Sequence, residues 1–338
     1  MSGEEKNRDE LSGAGRYDLI EHFTGKGGSA RSETAFGTSA VEGKDNLLVS
    51  QNLMLEGIDF SLVYFPLKHL GYKLVVRSLA GVFASGGTTT SLSVTIAMSS
   101  RFGTKQAEEI FEGITLAAKK YKVEIRYFDF VSSLTGLTLT CTAWGYKESD
   151  DIVRTQPSVN DLICVTGDLG AAYIGLQILE RERRIFESGA SVQPDLSEFE
   201  YVISRQLKPE LRKEILSELK RSGVVPALTT VVRDGLASEI IGVCKSINMG
   251  CRLYYDKIPV DSDTYRSAEE MGIDAVIAAL NGGEDYEFLF IAPVTMVESI
   301  SKQKDVRMIG YLTDSSEGNM LVTPDNEVVE LRAQGWKK

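Results

Sequence analysis

Between Gly71 and Ala143 the spacing of apolar residues switches repeatedly between a helical and a strand period, which restricts the chain to layered α/β architectures. In Gly71 to Ala84 (GYKLVVRSLAGVFA), Leu74, Val75, Leu79, Val82 and Phe83 share one helical face. Ser91 to Met98 (SLSVTIAM), Val123 to Val131 (VEIRYFDFV) and Leu137 to Ala143 (LTLTCTA) alternate or are β-branched and predict strands. Lys105 to Tyr121 reads as a helix, and Asn46 to Ser50 (NLLVS) as a short buried strand. The expectation is an α/β domain with a substantial sheet. Its polar, Thr-laden strand faces would suit an interface with a second copy.

A charged, proline-containing segment, Tyr146 to Asn160, marks the junction to a second unit. From Asp161, LICVTG predicts a strand, GDLG a turn, and Ala171 to Phe186 an amphipathic helix. Such a corner can turn backbone N–H groups toward an anion, and an ordinary βα corner looks the same. Helices are expected at about Pro209 to Arg221, Asp234 to Ile247 and Arg266 to Met271, with strands at Cys251 to Tyr255, Tyr286 to Ala292 and Met308 to Leu312. A length of 338 residues fits this division. The domains are a polar, disordered leader over 1–16, an N-terminal α/β domain over 17–148 that carries dimerisation and nucleotide binding, and a C-terminal α/β domain over 149–338. Tyr17 to Thr24 reads as a short helix before a Gly- and Ser-rich loop. The GKGGS within that loop lacks the spacing of a P-loop.

A formal charge of −11 opposes an anionic nucleic-acid backbone or lipid surface, so neither is expected as a partner. No uncharged apolar run reaches the roughly 18–20 residues needed to span a bilayer, and the leader lacks a signal-like apolar stretch. Cys141, Cys164, Cys244 and Cys251 form no C-x-x-C pair, and with only His22 and His69 available a Cys/His zinc site is hard to build. The reading is reduced core thiols in a cytoplasmic protein.

Chemistry concentrates at Asn281 to Glu287 (NGGEDYE), where paired glycines precede carboxylates and an apolar strand. Glu284 and Asp285 can bind a cation or hydrogen-bond donors, although such a segment is more often a solvated turn. ALNGGEDYEFLF, VTGDLGAAYIGLQ and the ending AQGW occur in this order, with LMLEGIDF, HLGYK, SSLTGL, RQLKPE and DGL elsewhere. The combination resembles thiamine-monophosphate kinase, of the aminoimidazole ribonucleotide synthetase superfamily, over about Tyr17 to Trp336. The resemblance implies a two-domain α/β fold whose N-terminal sheet pairs across a homodimer. It implies ATP and magnesium between the domains, and transfer of the ATP γ-phosphoryl group to thiamine monophosphate.

Residue by residue, the resemblance puts metal-binding carboxylates at Asp129 and Asp234, an ATP-binding arginine at Arg154, and contacts to thiamine phosphate at Glu284 and Trp336. Arg154 could equally be a surface charge, Glu284 a turn residue and Trp336 a packing anchor. Other metal positions carry no aspartate: they are Thr38, Asn52, Gly81 and Val231. Asp59 stands in place of a histidine, and Tyr127-Phe128 in place of two glycines. Replacement in four separate segments is what loss of a metal cluster as a unit predicts, because clustered carboxylates without cations repel one another. Two functions follow as expectations: an ATP-dependent phosphotransferase of this type, or an inactive paralogue serving as a dimeric scaffold or ligand sensor.

Overall fold

The computed structural model describes residues 39–40, 46–147, 156–189 and 195–333. The leader, the short helix at Tyr17 to Thr24, Thr38, Arg154 and Trp336 lie outside them. In chain order the first half comprises β1 (Ser39–Ala40), β2 (Leu47–Leu55), α1 (Leu67–Ala84), β3 (Gly87–Ser99), α2 (Thr104–Tyr121), β4 (Glu124–Ser133) and β5 (Leu137–Lys147). The strands form one sheet in the order β1-β2-β5-β3-β4. Alternation fixes its faces: Leu92, Val94 and Ile96 of β3 and Leu139, Cys141 and Ala143 of β5 are buried beneath the helices. The intervening serines and threonines point to the other side.

Helix α1 is apolar nearly all round, and from Leu70 to Ala84 only Arg77 escapes full burial, as expected of a helix enclosed by other layers. It crosses α2 where Gly71 and Gly113 meet. A Cβ on Gly71 would strike the Ile110 carbonyl, and one on Gly113 the Lys68 carbonyl, so glycine is required at the crossing.

The second half comprises β6 (Leu162–Thr166), α3 (Ala171–Glu187), α4 (Glu200–Leu207), α5 (Lys213–Arg221), β7 (Leu228–Val231), α6 (Leu236–Ile247), β8 (Gly250–Tyr254), α7 (Ser262–Glu270), α8 (Ala275–Asn281), β9 (Phe288–Ala292), α9 (Val297–Ser301), β10 (Val306–Thr313), β11 (Asn319–Val322) and β12 (Val328–Glu330). Its strands form a second sheet in the order β12-β11-β8-β10-β6-β9-β7. Every residue of β9 is buried. The predicted helix from Pro209 starts only at Lys213, because Pro209 to Arg212 run as connecting chain. The short strands β7, β11 and β12 and the helices α4 and α8 were not anticipated.

The halves share a core: Leu207, Leu211, Val231, Tyr286 and Phe288 pack in one cluster with the apolar residues of α1 and the first sheet. All four cysteines are free and buried. Among the described residues no helix is long and apolar enough to cross a membrane.

Candidate functional site

The turn between α8 and β9 is where the two halves meet. Gly283, Glu284 and Tyr286 all adopt positive φ, at 80°, 61° and 56°. Glu284 donates its N–H to the Arg233 carbonyl at 2.6 Å and Tyr286 to the Val232 carbonyl at 3.0 Å. A Cβ on Gly283 would meet the Arg233 carbonyl, so NGGEDYE needs its second glycine in order to dock.

The docked turn spreads its carboxylates among three sets of protein donors. Lys73 on α1, 0% exposed, donates to Glu284 Oε2 at 2.7 Å and to the Gln206 carbonyl at 2.7 Å. Arg77 Nη1 lies 3.6 Å from Glu284 and 2.9 Å from Asp59. Burial pushes the Glu284 carboxyl up, but Lys73 and then Arg77 more than reverse this and hold it below the usual carboxylate range. Burial pulls the Lys73 ammonium down, and Glu284 offsets part of that. Asp285 accepts from the backbone N–H of Gly170 at 3.0 Å and Ala172 at 3.4 Å. The helix start after GDLG therefore does face an anion, and the anion is the protein's own. Burial pushes Asp285 up to about 7 despite those donors. Glu287 accepts from Thr166 Oγ1 at 2.6 Å and pairs with Arg205 and Arg212, each at 3.1 Å. Burial also raises its carboxyl.

Beside this turn is a narrow crevice of about 10 Å³, room for about one water, lined by Ser50, Arg77, Gly81, Val231, Arg233 and Glu239 among others. Asn52 donates to the Arg77 carbonyl at 3.2 Å. The structure thus gathers Asn52, Gly81 and Val231, from three separate segments, around the Arg77 turn of α1. Asp234 is close by, paired with Arg233 at 3.1 Å. Asp129 is not. Register sets it opposite Thr95, while its neighbour Phe128 packs edge-on against Phe111 of α2, centroids 4.9 Å apart. Asp129 therefore occupies the sheet face turned away from the helices and accepts from the Phe130 N–H.

These residues do not fit magnesium. Two arginines line the crevice, and its one carboxylate, Glu239, accepts from the backbone N–H groups of Arg233 and Asp234. Burial pushes the Glu239 carboxyl up to about 7. Among the described residues no group of three or more His, Cys, Asp or Glu could hold a metal ion.

Lys73, Arg77 and Glu239 were missed by sequence reasoning as members of this site. For Lys73 a signal existed: an ionisable residue at a core position of an apolar helix needs a buried partner.

The paired sheets, with α1 between the first sheet and the docked turn, define a two-layered α/β protein of the AIR synthase type. Residues 36–146 match the family described as AIR synthase related protein, N-terminal domain. The chain is 28% identical to the thiamine-monophosphate kinase of Rhodopirellula baltica over 76% of its own length and 72% of the relative's. It is 26% identical to that of Bacillus subtilis, over 86% and 87%. A solved structure described as AaThiL complexed with AMPPCP and TMP superposes with a TM-score of 0.80 at 22% identity, covering 95% of this chain and 96% of the other. The chain is therefore similar to thiamine-monophosphate kinases over most of its length, and its residues 36–146 match the AIR synthase related N-terminal domain.

Proposed function

We propose that this chain is a thiamine-monophosphate kinase homologue that keeps a nucleotide-binding groove but has lost magnesium-dependent phosphoryl transfer, and that it works as a dimeric, cytoplasmic ligand-binding protein. The observation that carries this reading is the pair Arg77 and Arg233 at the crevice where Asn52, Gly81 and Val231 converge. Phosphoryl transfer requires two polyanions to meet, and the family meets that need with magnesium held by aspartates. Fixed guanidinium groups repel a divalent cation, and here each is paired with a carboxylate, Arg77 with Asp59 and Arg233 with Asp234.

On this reading Arg154 contacts the nucleotide, Glu284 and Trp336 border the second ligand, and Asp129 and Asp234 are remnants of the metal set. Glu284 is already engaged by Lys73 and Arg77, and Asp59 by Arg77. Thiamine phosphate would have to displace those contacts, which disfavours it as the ligand. The dimer forms through the sheet face that carries Asp129, Trp144 and Tyr146.

The experiment is a calorimetric titration with AMPPCP, with magnesium and with EDTA, beside a coupled assay of ATP and thiamine monophosphate. Binding of equal affinity in both buffers, without turnover, is expected. Turnover on the order of 1 s⁻¹, within the ordinary enzyme range, would restore the alternative reading of an active kinase, which the likeness along most of the chain favours.

A further inference from the structure

A cavity of about 450 Å³ opens where the C-terminal ends of α1 and α2 meet α5 and the loop before β7. It is distinct from the crevice of the proposed kinase-type site, though both adjoin the same two elements. Phe83 follows Gly81 on α1, and Thr229 precedes Val231 on β7. The volume is that of a small-molecule pocket. One wall is aromatic: Phe83 and Tyr121 are nearly buried, their rings 6.3 Å apart, and Tyr121 is fixed by accepting the Leu211 N–H at 2.9 Å. Aliphatic Leu216, Val225 and Pro226 complete the apolar lining.

The charge of the lining opposes that of the whole protein. Lys122, Lys213 and Lys220 line the cavity with Glu214 as the one acidic residue, in a chain of net charge −11. The Lys213 ammonium lies 5.4 Å from the centre of the Phe83 ring and 5.8 Å from that of Tyr121. Among the described residues no carboxylate forms an ion pair with Lys213 or Lys122. An ammonium held over aromatic faces without a carboxylate is attracted by the rings and keeps its charge available for an anion.

We propose that this cavity binds a planar aromatic phosphate of nucleoside-monophosphate size. The ring packs against the Phe83–Tyr121 wall among Leu216, Val225 and Pro226, and the phosphate meets Lys213 and Lys122. An aliphatic anion would leave the aromatic wall unused, and a neutral aromatic would leave Lys213 and Lys122 without a counter-charge.

The test uses pyridoxal 5′-phosphate, an aromatic phosphate whose aldehyde condenses with a nearby lysine to an imine and water; borohydride then fixes the adduct for peptide mapping. On the full chain, Lys213 is expected to react about tenfold faster than the exposed Lys302 and Lys68, the preference one charge-assisted contact confers. Excess 5′-AMP should protect Lys213 and Lys122 and leave Lys302 and Lys68 as reactive as before. Lys213→Met, which keeps an unbranched side chain against the rings, should weaken AMP binding by a similar factor while leaving the melting temperature within a few degrees. Equal labelling of Lys302, Lys68 and Lys213, labelling concentrated at Lys73 in the other site, or no protection by AMP would overturn the proposal. The AMPPCP titration repeated on Lys213→Met separates the two proposals: heat that survives the substitution belongs to the kinase-type site, and heat lost with it belongs to this cavity.

Discussion

The two sheets of this protein handle their faces differently. The seven-stranded sheet runs β9 through its interior with every residue enclosed, so Phe288 to Ala292 is a continuous apolar run. The five-stranded sheet buries one face under α1 and α2 and leaves the other bare, with Leu53 46% exposed and Tyr127 and Tyr146 on the same side. One sheet is finished by its own chain. The other carries an apolar and threonine-rich surface that the described residues do not cover, which is where the proposed dimer would form.

One chemical change made in each sheet tests that contrast at its extremes. Leu289→Asp places a carboxylate at a position 0% exposed, and the expected cost exceeds about 4 kcal/mol, enough to leave the protein unfolded in a urea titration or a thermal melt. A folded Leu289→Asp protein would mean that the seven-stranded sheet is not sealed. Next in size is Lys73→Met at the seam between the sheets. It strips Glu284 of its nearest cation, and a loss of about 3 kcal/mol is expected, held to that size because Arg77 stays nearby. Denaturant midpoints of Lys73→Met and of the double variant with Glu284→Gln check this, and the double variant should recover part of the loss.

An effect of comparable size should appear with pH. Asp285 has its folded pKa raised to about 7 from an ordinary 3.8. Between those values the folded state holds a proton that the unfolded state has released, so stability falls as pH rises from about 4 to about 7. The difference between wild type and Asp285→Asn should change by on the order of 2–4 kcal/mol across that window. A parallel pair of stability curves would show that the Gly170 and Ala172 donors outweigh burial. Least in stability is Leu53→Asp on the bare face, expected to alter the monomer by under about 0.5 kcal/mol while abolishing the proposed dimer, as light scattering would read it. If Leu53→Asp left a dimer intact, the partner would sit elsewhere.

The same contrast governs how much of the molecule could be read from its sequence. Strict alternation in Ser91 to Met98 and Leu137 to Ala143 identified β3 and β5, because one buried face imposes a period of two. Strands β7, β11 and β12 are too short to show any period, and α8 (AVIAALN) is apolar up to its terminal Asn281, so neither period stands out. Within the site, Glu284 and Asp285 were visible as a glycine-flanked carboxylate pair. Their partners were not, since Lys73 and Glu284 lie 211 residues apart and no local pattern reports a contact at that range. The positions Asn52, Gly81 and Val231 were picked out by resemblance alone, and only the folded chain brings them around one turn of α1.

That separation of 211 residues also has a consequence in time. At roughly 5–20 residues per second of synthesis, the Lys73 ammonium emerges about 10–40 s before the carboxylate that neutralises it. Throughout that interval α1 can cover the first sheet but cannot complete its own surroundings. The ribosome therefore carries a half-built protein whose longest apolar helix is exposed on the side awaiting the turn. The expression level of this protein should accordingly be sensitive to chaperone supply and to codon choice between the two halves, with a fragment ending at the junction accumulating as aggregate.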